Sequence, residues 1–200
     1  MNLAAQQDKL GNNVQFYFDH LPDTCFYLCD WRDNNVYSKE KIVDIRNGFI
    51  AFKTGKDFPD AFQIALFKGN NKDVIVVSNR ECEAFACFTP TSFFYIYENN
   101  NWIEASKIIL PRISTNLFYD DSSNSDLLDK YGYFRYDFIL PQFGTTIKIE
   151  LDICDYLQVD YPEVTDQQYD RLIDEKKSVN LVWDRHSNKF EIKNNTPTKK

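Results

Sequence analysis

Alternation is the strongest pattern in this chain. In TTIKIELDI, Ile147, Ile149 and Leu151 alternate with Lys148, Glu150 and Asp152. A period of two places one side of a strand on a core and the other in water. YFRYDFILP, residues 133–141, precedes it across QFG and predicts its hairpin partner. Further back, GFIAFKT (48–54), AFQIALFK (61–68) and VIVVSN (74–79) are strand-like runs, the last two separated by the turn sequence GNNKD. The arms 93–97 and 102–105 flank ENNN, whose asparagines tolerate positive φ. SVNLVWD and KFEIK form a last pair around the turn Arg185-His186-Ser187-Asn188.

Helical signals are fewer. NNVQFYFDHLP predicts a short helix over 13–21 closed by Pro22, although Val14, Phe16 and Phe18 also alternate. In SKEKIVDIRNG, Ser38 suits a cap and Glu40 the positive end of a helix. Ile42 and Ile45 share a face, and Gly48 follows as a left-handed stop, so a second helix is expected here. DDSSNSDLLDK reads as loop or short helix. VTDQQYDRLIDEKK is the best-signed helix. Thr165 and Gln168 make a capping box, Val164 and Tyr169 are placed as a staple, and Tyr169, Leu172 and Ile173 form the apolar stripe.

No β-α-β alternation is visible. The expected class is α+β: a largely antiparallel, aromatic-rich sheet built from hairpins, with helices near the N-terminus and one after Thr165. Residues 1–193 are expected to form a single globular domain and 194–200 a disordered tail.

Composition sharpens this picture. The chain has 17 Phe, 12 Tyr and 3 Trp in 200 residues, with 6 Gly and 7 Pro. Aromatics favour pleated, half-buried surfaces, and the low Gly and Pro content argues against a linker or low-complexity chain. Net charge is −7, from 23 basic and 30 acidic residues. The basic residues are scattered singly, whereas tracking a phosphate backbone needs a basic face. Nucleic acid is therefore not an expected partner, nor is an anionic membrane surface. No apolar run has the length of a transmembrane helix. The start, MNLAAQQDKLGNN, lacks the apolar region of a secretory leader. Two compartments stay open: cytoplasmic, or extracytoplasmic with a leader removed ahead of a non-native Met1.

Cys25, Cys29, Cys82, Cys87 and Cys154 are an odd set, so at least one thiol is unpaired within the chain. A Cys82–Cys87 disulfide is expected if the protein is exported, and five reduced core cysteines if it is not. Neither local spacing is that of a zinc site.

The stretch VWDRHSNKFEI sets Asp, Arg and His side by side, as an active site would. A polar hairpin tip explains it better, with Asn at a left-handed position and His186 solvated. His20, beside Asp19, reads as a helix-end histidine meeting the local dipole. Asp120, Asp121, Asp126 and Asp129 invite a calcium reading, but the glycine and glutamate of an EF-hand loop are missing. Glu81 and Glu83 would need a partner across the fold to serve as a hydrolytic pair. No nucleophile elbow, phosphate loop or metalloprotease helix occurs. The remaining functional material is aromatic: Trp31, Trp102 and Trp183 are the candidate binding residues, for stacking on a carbohydrate or anchoring a protein. No metal or cofactor is expected. The favoured function is a non-catalytic binding or inhibitor-like protein with an acidic, aromatic-bearing surface. The alternatives are a hydrolase with a fold-assembled carboxylate pair and an immunity-type protein that neutralises a toxin in the cytoplasm.

Overall fold

The computed structural model describes residues 12–26, 32, 40–53, 61–79, 91–132, 134–154 and 156–193. Trp31, Cys29, Ser38, Glu81, Cys82, Glu83, Cys87 and the 194–200 tail lie outside them.

Ten strands form two antiparallel meanders among the described residues. The first sheet runs in sequence order through β1 (Glu40–Asp44), β2 (Phe49–Lys53), β3 (Phe62–Lys68), β4 (Asp73–Asn79), β5 (Thr91–Glu98) and β6 (Asn101–Glu104). The second comprises β7 (Phe134–Ile139), β8 (Thr146–Ile153), β9 (Val179–Asp184) and β10 (Lys189–Lys193), again each beside the next. The class is α+β, built from hairpins as expected, but the strands divide into two sheets rather than one. Every strand pairs with a sequence neighbour, and tight turns set the register of the β1–β2, β3–β4, β5–β6 and β9–β10 pairs. Asn99 and Asn100, at φ 51° and 61°, turn β5 into β6.

The central strands read as nearly continuous apolar runs because both of their faces are covered. On one face, Phe67 and Phe94 meet the second sheet, with ring centroids 5.0 Å from Phe67 to Phe190 and 5.2 Å from Phe94 to Phe138. Gln63, buried on the same face, accepts the backbone N–H of Leu140 at 2.9 Å and so ties β3 to the end of β7. The opposite face carries Ile50, Phe52, Phe62, Ile64, Ile75 and Val77 under an N-terminal cover. That cover is α1 (Val14–Asp19), capped by the Asn13 side chain, which accepts the N–H of Phe16 at 3.0 Å. Val14, Tyr17, Phe18 and Leu21 recur at helical spacing and are all buried. Six residues make a marginal helix alone; each large side chain it buries contributes about 1.5–3 kcal/mol.

The second N-terminal helix does not form. Lys41, Ile42, Val43 and Asp44 pair with β2 from Phe52 to Phe49, and Ile45 to Gly48 make the turn. A β-branched pair beside a waiting sheet edge outweighs a capping signal, because propensity is a weak prior against tertiary pairing. Gly48 does have positive φ, 70°, but it serves a hairpin. A Cβ there would lie 3.1 Å from that of Leu66.

Four further α-helices, α2 (Ser106–Ile109), α3 (Ser122–Tyr131), α4 (Leu157–Asp160) and α5 (Asp166–Asp174), and two 3-10 turns, Asp23–Phe26 and Thr115–Leu117, complete the described fold. The aspartate-rich stretch resolves as α3. Asp121 caps it by accepting from Ser123 N–H, and Gly132 ends it at φ 67°. The capping box of α5 is present, with Thr165 Oγ1 accepting from Gln168 N–H and Gln168 Oε1 accepting from Thr165 N–H. Leu128 of α3 and Leu172 of α5 join Leu151 and Ile153 of β8 in one apolar cluster. The Tyr119 hydroxyl donates to the Leu172 carbonyl at 2.9 Å, and Lys176 Nζ to that of Leu151 at 3.1 Å. The helical segments thereby close the end of the second sheet.

Candidate functional site

Asp184 organises the β9–β10 turn, where its two carboxylate oxygens accept the backbone N–H of His186 at 2.9 Å and of Ser187 at 3.2 Å. The Ser187 side chain and then these backbone donors hold its carboxyl below the ordinary carboxylate range. Both oxygens are thus engaged by the turn, and Asp184 does not orient His186 as a general base would be oriented. Asn188 sits at φ 53°, the left-handed position the turn sequence requires.

The tip is exposed, as expected, but it is not free of the fold. It docks on the β3–β4 turn. Asn70 N–H donates to the Arg185 carbonyl at 3.1 Å, and the Asn70 amide meets His186 Nδ1 at 3.2 Å. Gly69 allows the approach. A Cβ on it would lie 1.9 Å from Asn188 Oδ1 and 2.4 Å from the Lys72 carbonyl oxygen. His186 thus belongs to a junction between two hairpin tips.

Trp183 lies just inside that junction, 6% exposed, with its indole N–H donating to the Lys68 carbonyl at 3.0 Å. Trp102 is half-buried on the other face of the first sheet, where its N–H donates to the His20 carbonyl at 2.7 Å. Tyr97, Tyr95 and Tyr17 surround it at centroid distances of 4.9, 5.5 and 6.0 Å. The fold does not bring the two tryptophans together; Trp183 fastens the end of β3 and Trp102 the end of α1. His20 follows α1, donates from Nδ1 to the Phe16 carbonyl at 2.8 Å and stacks on the Phe16 ring.

Tyr17 donates its hydroxyl to Asp73 at 3.0 Å, and Lys68 Nζ reaches the same oxygen at 2.6 Å and the Asn12 carbonyl at 2.9 Å. Burial first, and the Asp73 carboxylate next, push the Tyr17 hydroxyl well above its ordinary value. This triad was not anticipated. Its one visible signal is Lys68 and Asp73 standing directly opposite across GNNK.

The four aspartates considered for calcium take separate tasks. Asp121 caps α3 and receives Arg171 at 2.8 Å, Asp120 pairs with Lys177, Asp129 accepts from Thr115 at 2.8 Å, and Asp126 is exposed. Among the described residues, no three His, Cys, Asp or Glu side chains converge as a metal site would require. Cys25 is buried and free, with burial pushing its thiol up to about 11; Cys154, just past β8, is free and half-buried. No helix among the described residues is long and apolar enough to cross a membrane.

Charge is partitioned along the chain. Between Asp120 and Lys177 there are fourteen acidic and six basic residues, a net −8, leaving +1 for the rest. This segment holds α3, α4 and α5. On α5, Asp166, Asp170 and Asp174 recur every four residues and are all exposed. Tyr156 and Val159 of the α4 turn, which Gln158 ties to Asp166 at the start of α5, are 53% and 69% exposed. Sequence reasoning missed this pair because a single turn, YLQVD, is too short to show helical periodicity.

No family model matches the chain, and no curated protein does. Among solved structures, it is similar to a domain of an uncharacterized protein from Porphyromonas gingivalis W83, at 10% identity and a TM-score of 0.53. The superposition covers 88% of this chain and 95% of that one. At this identity the likeness shows the fold alone.

Proposed function

We propose that this is a non-catalytic binding protein that meets a protein partner through its acidic, aromatic-bearing helical end. The partition of charge carries the reading, since the whole excess of negative charge falls on one segment of the chain. Such a surface steers a basic partner and sets orientation on encounter. The chemistry of the described polar groups supports it. Asp44, Asp121 and Asp184 are held below the ordinary carboxylate range by the turn and cap donors they accept, which suits structural roles rather than proton transfer.

Selection of a random peptide library displayed on phage against the full chain tests the proposal. The expected result is an enriched consensus rich in Lys or Arg whose free peptide binds the protein. Failure of any sequence to enrich would overturn it. So would turnover of chromogenic glycosides or esters that is abolished by a single carboxylate substitution.

A further inference from the structure

The outward face of α4 stands apart from the rest of the helical end. Leu157 is buried and Tyr161 half-buried against Tyr131, with ring centroids 4.5 Å apart, so these two anchor the turn. Tyr156 and Val159, three residues apart, share the outer side with the exposed Asp160. Large apolar groups presented together on an otherwise polar surface mark an interaction site more often than scattered ones do.

Charge decides what such a face fits. Gln158 of α4 donates to Asp166 at 2.8 Å, which fixes the start of α5 beside the apolar pair. From there the Asp166–Asp170–Asp174 stripe runs away along α5. Of the basic residues nearby, Arg171 is paired with Asp121 and Glu175 and Lys177 with Asp120, while Lys130 donates to the Tyr131 hydroxyl. Glu163 accepts from the same Tyr131 hydroxyl at 3.1 Å, where Lys130 balances its charge, so the acidic excess lies on the α5 stripe and Asp160. A second copy of the chain would bring like charge to like, and an anionic membrane would be repelled.

We infer that Tyr156 and Val159 are the anchor of a docking surface for a basic, amphipathic segment of a partner protein, whose apolar side chains cover α4 while its Lys or Arg side chains run along the α5 stripe. This rests on the binding reading above and names its surface and partner chemistry. The apolar pair supplies the desolvated centre and the aspartates the polar rim. Screening by salt should weaken the rim more than the centre.

Three synthetic sixteen-residue probes test it by fluorescence anisotropy against the full chain: one of Lys and Leu at helical spacing, one with Glu for Lys, and one with Ser for Leu. The Lys/Leu probe should bind, the Glu probe should not, and the Lys/Ser probe should bind at least about tenfold more weakly. Tyr156→Ala with Val159→Ser should weaken the Lys/Leu probe by about tenfold or more. Ile108→Ser, at an exposed position on α2, should change it less than about twofold. Both substituted sites are exposed, and circular dichroism checks that the variants fold. Equal binding of the Lys/Leu probe by the α4 double variant would overturn the surface and leave the binding reading standing. Equal affinity for the Lys/Ser probe would show charge alone at work and overturn the apolar anchor. A dimer in sedimentation that the α4 substitutions dissolve would assign the face to a second copy instead. Absence of any enriched peptide in the library selection is the separate failure that removes the reading beneath.

Discussion

The indole N–H of Trp183 donates to the carbonyl of Lys68 at 3.0 Å, joining residues 115 apart in the chain. The bond holds the last hairpin of the second sheet against the turn of β3–β4, and the Trp183 ring packs 5.0 Å from Phe190 and 6.0 Å from Phe67. Trp183→Ala should therefore cost about 3–5 kcal/mol. Trp183→Phe should cost less, because only the N–H and part of the ring are lost. Urea denaturation of both variants measures it. Equal losses would mean that the ring's contacts, and not its size, had been misassigned.

Gly69 should matter more than the histidine beside it. Gly69→Ala places a Cβ against the Lys72 carbonyl oxygen, which is backbone and cannot swing away. A loss of about 1–3 kcal/mol is expected, as for other overpacked sites. His186→Asn removes an exposed side chain whose one bond is to Asn70, and should move stability by no more than about 0.5 kcal/mol. Thermal melts of the two variants decide between them, and a reversed order would overturn the tip-to-tip junction.

Much of this architecture was legible in the letters. Strict alternation exposed β8, and turn chemistry exposed the β5–β6 and β9–β10 hairpins, because those signals are local. The capping box of α5 is local too. What escaped notice depends on distant residues. Ile42 and Val43 look as helical as they look extended until the β2 edge is present to pair with them. Asn70 bears no mark of its contact with His186, 116 residues away. Of the candidate binding residues, Trp102 and Trp183 are tied into opposite faces of one sheet, while the α4 turn is visible only once Leu157 is seen to be buried.

Alkali should unfold the protein early. Burial first of all pushes Tyr95 and Tyr119 up to about 12 and Cys25 up to about 11, and Tyr17 moves in the same direction. In the unfolded chain these groups lose protons at their ordinary values, 10.0 for tyrosine and 9.0 for cysteine. The folded state therefore binds more protons above about pH 9, and stability falls as pH rises towards about 12. Urea midpoints at about pH 8 and about pH 11, with tyrosinate absorbance followed in parallel, test this. Full tyrosine ionisation without loss of structure would contradict it.

Acid should act through the caps. Asp184, Asp121 and Asp44 are held below 3.8 by Ser187, by the Ser123 backbone N–H and by the Asn47 side chain respectively, each as its largest cause. Their contribution is present above about pH 4 and is lost as pH falls through their folded values. Asp184→Asn should flatten the acid limb of the stability curve and leave the alkaline limb unchanged. Melting temperatures across the acid range provide the readout, and an unaltered acid limb would show that the turn does not depend on that carboxylate.

The central claim, that the acidic helical end is where a partner sits, is tested most directly by mapping. Backbone amide shifts of the full chain, recorded by nuclear magnetic resonance while the Lys/Leu probe is titrated in, show which residues sense it. Perturbations concentrated between Tyr156 and Asp174, and lost in Tyr156→Ala with Val159→Ser, are the predicted result. Saturable perturbations centred instead on Val43 and Ile45 at the β1 edge, or on Phe143 in the β7–β8 turn, would contradict it.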